Sequence, residues 1–443
     1  MSSAPSFRID VGALLDHGRW TAYQKLLTFL AALAVTFDGF DIQILGFSIP
    51  SMMADWHVAR SAFPPVIAVG LIGMAIGAPL AGYLGDRLGR RIALIGSVLV
   101  FGSATLSTAF CNGMTQLTVL RFLTGIGAGG ALPNASALAS EFAPLRKRPV
   151  AVTFTSVCIP VGGMVGGLAA ARILPNWRAL YAVGGVSALI LAVFLYWSLP
   201  ESPRFLARHR YRWLELARLL SRFGHSIPLG ASFEDVQERK AESQGALKSL
   251  FGSEYLRDTA GLWLAFFACM NAVYLVFSWL PSMLASQGLD TATASSGLAA
   301  YNFGGVLGVL ICAPMIGAVG SRRPLLIGAL IGSATALGLR FIAPGDHALL
   351  IAGYGLHGLF ANAVQTALFA LAAHVYPTKV RASGVAASAA VGRLGALLSS
   401  VTGVLIIQAG SGTYLGVLAL SLLLGAVGIA VVKKQFTPNA MPR

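Results

Sequence analysis

Apolar runs of helix length alternate with short polar breaks along the chain. They fall at approximately 22–46, 62–84, 92–111, 115–140, 149–172 and 179–199, and again at 259–285, 293–319, 323–342, 347–373, 381–408 and 411–432. A helix rises about 1.5 Å per residue, so each run is long enough to cross a hydrocarbon core of about 30 Å. The pattern predicts an all-α membrane protein with twelve transmembrane helices. One polar stretch, 200–258, is far longer than the other breaks and separates the runs six and six. The chain thus reads as a cytoplasmic segment 1–21, a six-helix bundle 22–199, a linker 200–258, a second six-helix bundle 259–432 and a tail 433–443. Within the linker, RYRWLELARLLSRFG spaces Trp213, Leu216, Leu219, Leu220 and Phe223 along one helical face. That face predicts an amphipathic helix lying at the cytoplasmic membrane surface.

Composition narrows the class. Of 443 residues only 11% are charged and 56% are hydrophobic, and the mean hydropathy is +0.73. A soluble globular chain carries about 25% charged residues, so an ordinary soluble enzyme, a disordered chain and a collagen are all excluded. The net charge of +15 does not point to nucleic acid, because the basic residues sit in the breaks between apolar runs. With the N-terminus inside, that side receives Arg8, Arg19, Lys25, Arg87, Arg90, Arg91, Arg146, Lys147 and Arg148, ten basic residues of the linker, then Arg322, Arg323, Lys379, Arg381, Lys433, Lys434 and Arg443. The other side holds Arg60, Arg172, Arg178 and, near a span end, Arg340. This asymmetry places both termini in the cytoplasm and requires an even number of spans. The N-terminus lacks the basic region, compact apolar core and small-residue cleavage site of a signal peptide, so the first span is expected to stay as an anchor. Cys111, Cys158, Cys269 and Cys312 stand singly in apolar runs and give no metal or disulfide framework. No GxxxxGK[ST] loop appears, so ATP is not expected to drive the protein, and no cofactor is implied. GIGAGG lies inside a span with no preceding strand and is discounted as a dinucleotide loop.

The two halves repeat each other. GYLGDRLGRR, at 82–91, follows the second span, and GAVGSRRPLL, at 317–326, follows the eighth. Gly82, Gly85 and Arg87 match Gly317, Gly320 and Arg322. Glu141, Pro144 and Arg148 after the fourth span match His374, Pro377 and Arg381 after the tenth. A duplicated six-span unit places a transport site near the midplane, between the halves.

GYLGDRLGRR resembles the signature loop of the major facilitator superfamily, and a second signature of that superfamily appears as Arg121, Gly125, Gly127 and Gly129 in LRFLTGIGAGG. LPESPRFL at 199–206 is shared by several of its branches. Within the superfamily the chain is most similar to the aromatic acid:proton symporters. DGFD at 38–41 carries that resemblance, with ALPNASALASE at 131–141, SWLPSMLASQG at 278–288 and ASGVAASAAVGRLGA at 382–396. The resemblance covers about residues 22–432. It implies a multi-pass bacterial inner-membrane carrier that works by alternating access, takes up a hydroxybenzoate-, phenylpropionate- or gallate-like acid with protons, and acts as a monomer. Two departures stand out. Ser321 and Pro324 replace the Asp86 and Gly89 of the first-half loop, and PVGGMVGG at 160–167 loosely resembles the glycine-rich motif of drug:proton antiporters. The rival readings are therefore a drug or organic-ion antiporter and a receptor derived from a transporter.

Asp38 and Asp41 lie inside the first span three residues apart, on one helical face. A charge in the bilayer interior costs about 2.5–3.5 kcal/mol on insertion scales, and such residues normally serve transport. Arg121, about six residues into the fourth span, lies at a similar depth because its helix runs the other way. It can neutralise either aspartate or receive a substrate carboxylate through its planar fork, and the resemblance implies a role in proton coupling. Arg393, mid-span in the second half, is the candidate carboxylate anchor, with a structural tether as the alternative. Asn271 and Tyr274, Tyr301 and Asn302, and His357, Asn362 and Gln365 are polar or aromatic mid-span residues and as a set candidate cavity lining; taken singly, each suits an interhelical hydrogen bond or a packing role better than a ligand contact. At the cytoplasmic end, Gly82 and Gly85 allow close approach of two helix ends. The resemblance implies that Asp86, Arg87, Arg90 and Arg91 latch the closed gate, with Glu141 and Arg148 as the neighbouring charged cluster. Trp20, Trp56 and Trp177 read as interface anchors.

Overall fold

In a hydrocarbon medium backbone amides must bond to one another, and an uninterrupted apolar run does so as a helix. The computed structural model describes residues 8–228, 231–235, 255–343, 345–376 and 380–436, with only the backbone of Arg381 and Ala382. Arg239, Lys240, Lys248, Pro377, Lys379, Arg443 and the Arg381 side chain, used above, lie outside the described residues.

A short strand β1 (Arg8–Asp10) and helix α1 (Val11–His17) precede six long helices: α2 (Ala22–Trp56), α3 (Phe63–Leu88), α4 (Arg90–Thr108), α5 (Met114–Phe142), α6 (Arg148–Ile173) and α7 (Trp177–Ser198). The linker supplies α8 (Pro203–Arg208), α9 (Trp213–Arg222) and β2 (Ser232–Glu234). Six further long helices follow: α10 (Leu256–Ser286), α11 (Thr291–Val319), α12 (Arg322–Gly338), α13 (His347–Val375), α14 (Arg381–Gln408) and α15 (Ser411–Val431). Among the described residues, eleven of the twelve long helices are apolar enough to cross a membrane. The remaining one, α5, is 29 residues long and carries Arg121, Asn134 and Glu141.

Local signals set several ends. Thr21 caps α2 by accepting from the Gln24 amide, and the Gln24 side chain accepts from the Thr21 amide at 2.9 Å. The helix then continues through Pro50 to Trp56, ten residues past the expected end of its run. Asp290 caps α11 by accepting from the Ala292 and Thr293 amides at 3.0 and 3.2 Å. The duplicated loops turn at different places: the first at Gly89 (φ 107°), the second at Gly320 (φ 82°), four residues earlier in the motif. Pro324 stands where Gly89 would be, and a proline is accommodated in the first turn of a new helix, so α12 has already begun there.

Glycines let the helices pack backbone to backbone. A Cβ on Gly73 or Gly77 of α3 would land on the Phe122 or Ile126 carbonyl of α5, and one on Gly125 or Gly129 of α5 on the Gly70 or Met74 carbonyl of α3. The antiporter-like glycines of α6 do the same work. Gly162 rests on the Thr36 carbonyl, Gly163 on Gln43, and Gly167 on Ala299 of the other half. The halves also meet where Gly46 of α2 abuts the Phe277 carbonyl of α10. Gln43 and Asn302 exchange hydrogen bonds of 3.2 and 2.7 Å, and Arg60 donates to the Ser282 carbonyl at 3.3 Å. These contacts lie in the part of the bundle away from the linker.

At the linker end, β1 pairs with β2 in parallel, and Asp16 of α1 accepts from both Arg148 and Arg204, the latter at 3.2 Å. Leu216, Leu219 and Leu220 of α9, with Phe223 just after it, are buried in one cluster with Val11, Leu15, Leu27 and Phe142. The apolar face of α9 therefore covers protein, not the bilayer surface expected for it. The reason is that α1 and the ends of α2 and α5 already present an apolar platform there.

Candidate functional site

The centre of the first half is a polar group on four helices. Asp41 of α2 faces Arg121 of α5, with Nη1 3.8 Å from Oδ2 and donating to the Asp41 carbonyl at 3.3 Å. The Thr105 hydroxyl of α4 donates to the same carboxylate. Nη2 of Arg121 donates to the Tyr181 hydroxyl of α7 at 3.0 Å. Asp38 is 1% exposed, carries no ion pair among the described residues, and its Oδ1 has no hydrogen-bond partner. Three residues along a helix amount to a rise of about 4.5 Å and a turn of about 300°. That offset lets one arginine engage Asp41 and leave Asp38 aside. A carboxylate pair of which one member is fixed by a cation and the other is not can hold the two protonation states apart.

Asp41 and Arg121 form the polar wall of a cleft of about 510 Å³, counting its open mouth, between α2, α3, α5 and α10. Its other walls are apolar, from Leu45, Val66, Ile67, Leu71 and Met74, with Thr124, Tyr274 and Ser278 adding hydroxyls. A cation, hydroxyls and an aliphatic slot are what a flat aromatic carboxylate requires of a site.

The remaining candidate residues separate into groups. Tyr274 lines the cleft and lies within electrostatic reach of both Asp38 and the half-buried Arg393. Asn271 turns away and donates to Ser421 of α15 at 2.9 Å. Asn302 bridges the halves through Gln43. Tyr301 and His357 are both fully buried with rings 5.8 Å apart, and His357 Nδ1 sits 3.0 Å from the Gly332 carbonyl of α12. Asn362 donates to the Gly358 carbonyl of its own helix at 3.1 Å. Gln365 is buried with neither amide atom hydrogen-bonded.

At the linker end, Asp86 pairs with Arg90 one turn on, at 2.6 Å, and its side chain stays 58% exposed. Arg87 lies over Tyr83 at 4.5 Å, and Arg91 donates to the Tyr196 carbonyl. A Cβ on Gly85 would meet Asn134, whereas Gly82 faces open space. Glu141 accepts from Ser202, and Arg148 bonds Asp16 and the Ser140 carbonyl. The acid that seats the start of α4 is Glu201, 1% exposed, accepting from the Arg91 amide at 3.0 Å and filling the space beside Gly89. LPESPRFL contains Glu201, but nothing in that run signals its role, and Thr105, Tyr181 and Gln43 stand in no motif at all. No cluster of metal-ligating residues occurs among the described residues.

Twelve long helices in two joined halves, with a buried ion pair at the wall of a cleft, define a membrane carrier. The sequence profile of the Major Facilitator Superfamily matches residues 31–346 and 262–440. A gallate transporter of Pseudomonas putida is 34% identical over 97% of this chain and 97% of its own. A 4-hydroxybenzoate transporter of Acinetobacter baylyi is 34% identical over 90% of this chain and 88% of its own, and a 3-(3-hydroxy-phenyl)propionate transporter of Escherichia coli is 33% identical over 89% of each. Among solved structures, the inward open conformation of the Escherichia coli xylose transporter superposes with a TM-score of 0.70 at 21% identity, covering 91% of this chain and 95% of that one. The chain belongs to the major facilitator superfamily and, within it, to the aromatic acid transporters.

Proposed function

We propose that the protein imports an aromatic carboxylate together with protons by alternating access across the bacterial inner membrane, as a monomer and without a cofactor. All twelve long helices span, with both termini and the 200–258 linker in the cytoplasm. The observation that carries the reading is the unpaired, buried Asp38 one turn from the braced Asp41–Arg121 pair at the wall of the cleft. Asp38 takes the proton, while Asp41 stays bound to its cation. The acid enters the cleft with its carboxylate toward Arg121 and its ring against the aliphatic wall and Tyr274, and Arg393 attracts it toward the midplane. The relatives' substrates, gallate, 4-hydroxybenzoate and 3-(3-hydroxy-phenyl)propionate, support this class of ligand.

In this orientation the Gln43–Asn302 and Arg60–Ser282 contacts close the periplasmic side. The latch of Asp86, Arg87, Arg90 and Arg91 is unfastened, since Asp86 pairs within its own helix turn. That arrangement fits a carrier open toward the cytoplasm. The test is uptake of labelled 4-hydroxybenzoate, gallate and, as a control, xylose into proteoliposomes with an imposed pH gradient. Accumulation of an aromatic acid that a protonophore abolishes supports the reading. Accumulation that ignores the gradient, or uptake of xylose alone, overturns it.

A further inference from the structure

Arg121 cannot give up its proton inside a protein, yet a coupling cycle requires Asp38, one turn from Asp41, to change charge and a substrate carboxylate to come and go. Its bond to Asp41 is loose: the ion pair is 3.8 Å long, Nε has no partner, and the side chain is only 7% exposed. A substrate carboxylate in the cleft draws on the same guanidinium and weakens its hold on Asp41, which leaves a buried cation in need of a second hold.

We propose that Tyr181 is a positioning residue for Arg121, a neutral second anchor that keeps the guanidinium in place while its carboxylate partners change. The inference rests on the proposed coupling role of the Asp41–Arg121 pair. The Tyr181 hydroxyl accepts from Nη2 at 3.0 Å, and its ring centroid lies 5.2 Å from the guanidinium carbon. A phenol oxygen and a ring face attract a cation whichever state the nearby acids are in. Tyr181 is itself fixed. It is fully buried, and Trp177, one turn earlier on α7, stands edge-on to it at 6.0 Å. Trp56 stands edge-on to Trp177 at 5.2 Å, and the Trp177 indole donates to Asp55 at 3.1 Å. An aromatic ladder thus runs from the end of α2 down to the buried arginine. The other groups facing the pair are Asp38 on the same helix, the Thr105 hydroxyl of α4, Cys111 just after α4 and, across the cleft, Tyr274 of α10. Among the described contacts none of these accepts a hydrogen bond from Arg121, so Tyr181 shares the guanidinium with Asp41 alone, which holds it through its carboxylate and its carbonyl.

The experiment compares Tyr181→Phe, which keeps the ring and loses the acceptor, with Tyr181→Leu, which loses both. Tyr211→Phe on the exposed linker serves as control. Each is purified, checked for monodispersity and reconstituted, and the labelled acid the wild type accumulates is followed in two modes, pH-driven uptake and counterflow. Counterflow needs no net proton movement, so Tyr181→Phe should retain its KM within about threefold, while pH-driven uptake falls about tenfold. The pH profile of uptake should move as well, because a guanidinium deprived of Tyr181 shifts toward Asp41 and changes the field at Asp38, the carboxylate that takes the proton. Tyr181→Leu should move both readouts further in the same direction. Equal losses of uptake and counterflow in well-folded variants would make Tyr181 merely structural and overturn the assignment, as would an unchanged rate and pH profile. If the wild type itself ignores the pH gradient, the coupling reading fails first. If it responds and Tyr181→Phe matches it, only the role of Tyr181 falls.

Discussion

Replacing Asp41 by asparagine removes the one charge that faces Arg121 at close range. The two side chains are 4% and 7% exposed and 3.8 Å apart, so solvent screens them little. With an effective dielectric constant near 20, two unit charges at that separation attract by about 4 kcal/mol. Desolvation offsets much of this in the intact pair, but removing one partner alone leaves the other buried and uncompensated, a loss of about 3–5 kcal/mol. Asp41→Asn retains only the Tyr181 hydroxyl and the residue 41 carbonyl for the guanidinium. Arg121→Gln strands the carboxylate, although Thr105 still donates to it. Both singles should therefore melt well below the wild type, whereas the Asp41→Asn/Arg121→Gln double variant should recover much of the loss. The expected coupling is about 2–4 kcal/mol. Thermal melts in detergent with a thiol-reactive fluorogenic dye suit the measurement in a background that keeps Cys269 and lacks the partly exposed Cys312, because Cys269 is fully buried and reacts only on unfolding. A double variant that melts at the sum of the two single losses would mean that the charges do not interact, and the pair would lose its place in the site.

Much of this arrangement is legible in the sequence, and the parts that are not have a common cause. Run length and apolarity reveal the long helices because a membrane span is constrained by little else. The extension of α2 from 47 to 56 is hidden by Pro50 and Asp55, which resemble a stop, although a proline inside a span forfeits few backbone bonds that neighbouring groups cannot replace. The depth of Asp38, Asp41 and Arg121 follows from counting residues. Which aspartate meets the arginine does not, since about 60° of azimuth separates them. The same ambiguity affects Asn271, whose depth is right for a cavity but whose amide is committed to Ser421. The amphipathic face of α9 is plain in the pattern, but a pattern does not say whether lipid or Val11 and Leu15 will cover it. Thr105, Tyr181, Gln43 and Glu201 find partners 64, 60, 259 and 110 residues away, where no periodicity reaches.

Further perturbations test the other parts. Asp38→Asn should abolish pH-driven uptake and spare counterflow; full uphill uptake with an unchanged pH profile would move the proton site elsewhere. Asp86→Asn, remote from the cleft, should slow turnover while substrate affinity stays within about tenfold, and loss of binding in a folded variant would refute a gating role. Gly77→Val should prevent assembly of the first half, because its side chain would overlap the Ile126 carbonyl; a wild-type yield of monodisperse protein would contradict that packing. The contact between the halves gives the last test. Gln43 and Asn302 exchange two buried amide hydrogen bonds, and alternating access must break them. At about 1 kcal/mol net each, losing both in Gln43→Ala weakens this closure by about 2 kcal/mol, roughly thirtyfold in population. Ser282, fully buried beside Arg60, reports the change when replaced by cysteine in a background lacking the four native cysteines. A membrane-impermeant maleimide applied from the periplasmic side should label Ser282→Cys much faster when Gln43→Ala is also present. Equal labelling with and without Gln43→Ala would show that these amides do not hold that side shut, and the closure would then rest on the Arg60–Ser282 bond and the glycine contacts at Gly46 and Gly167.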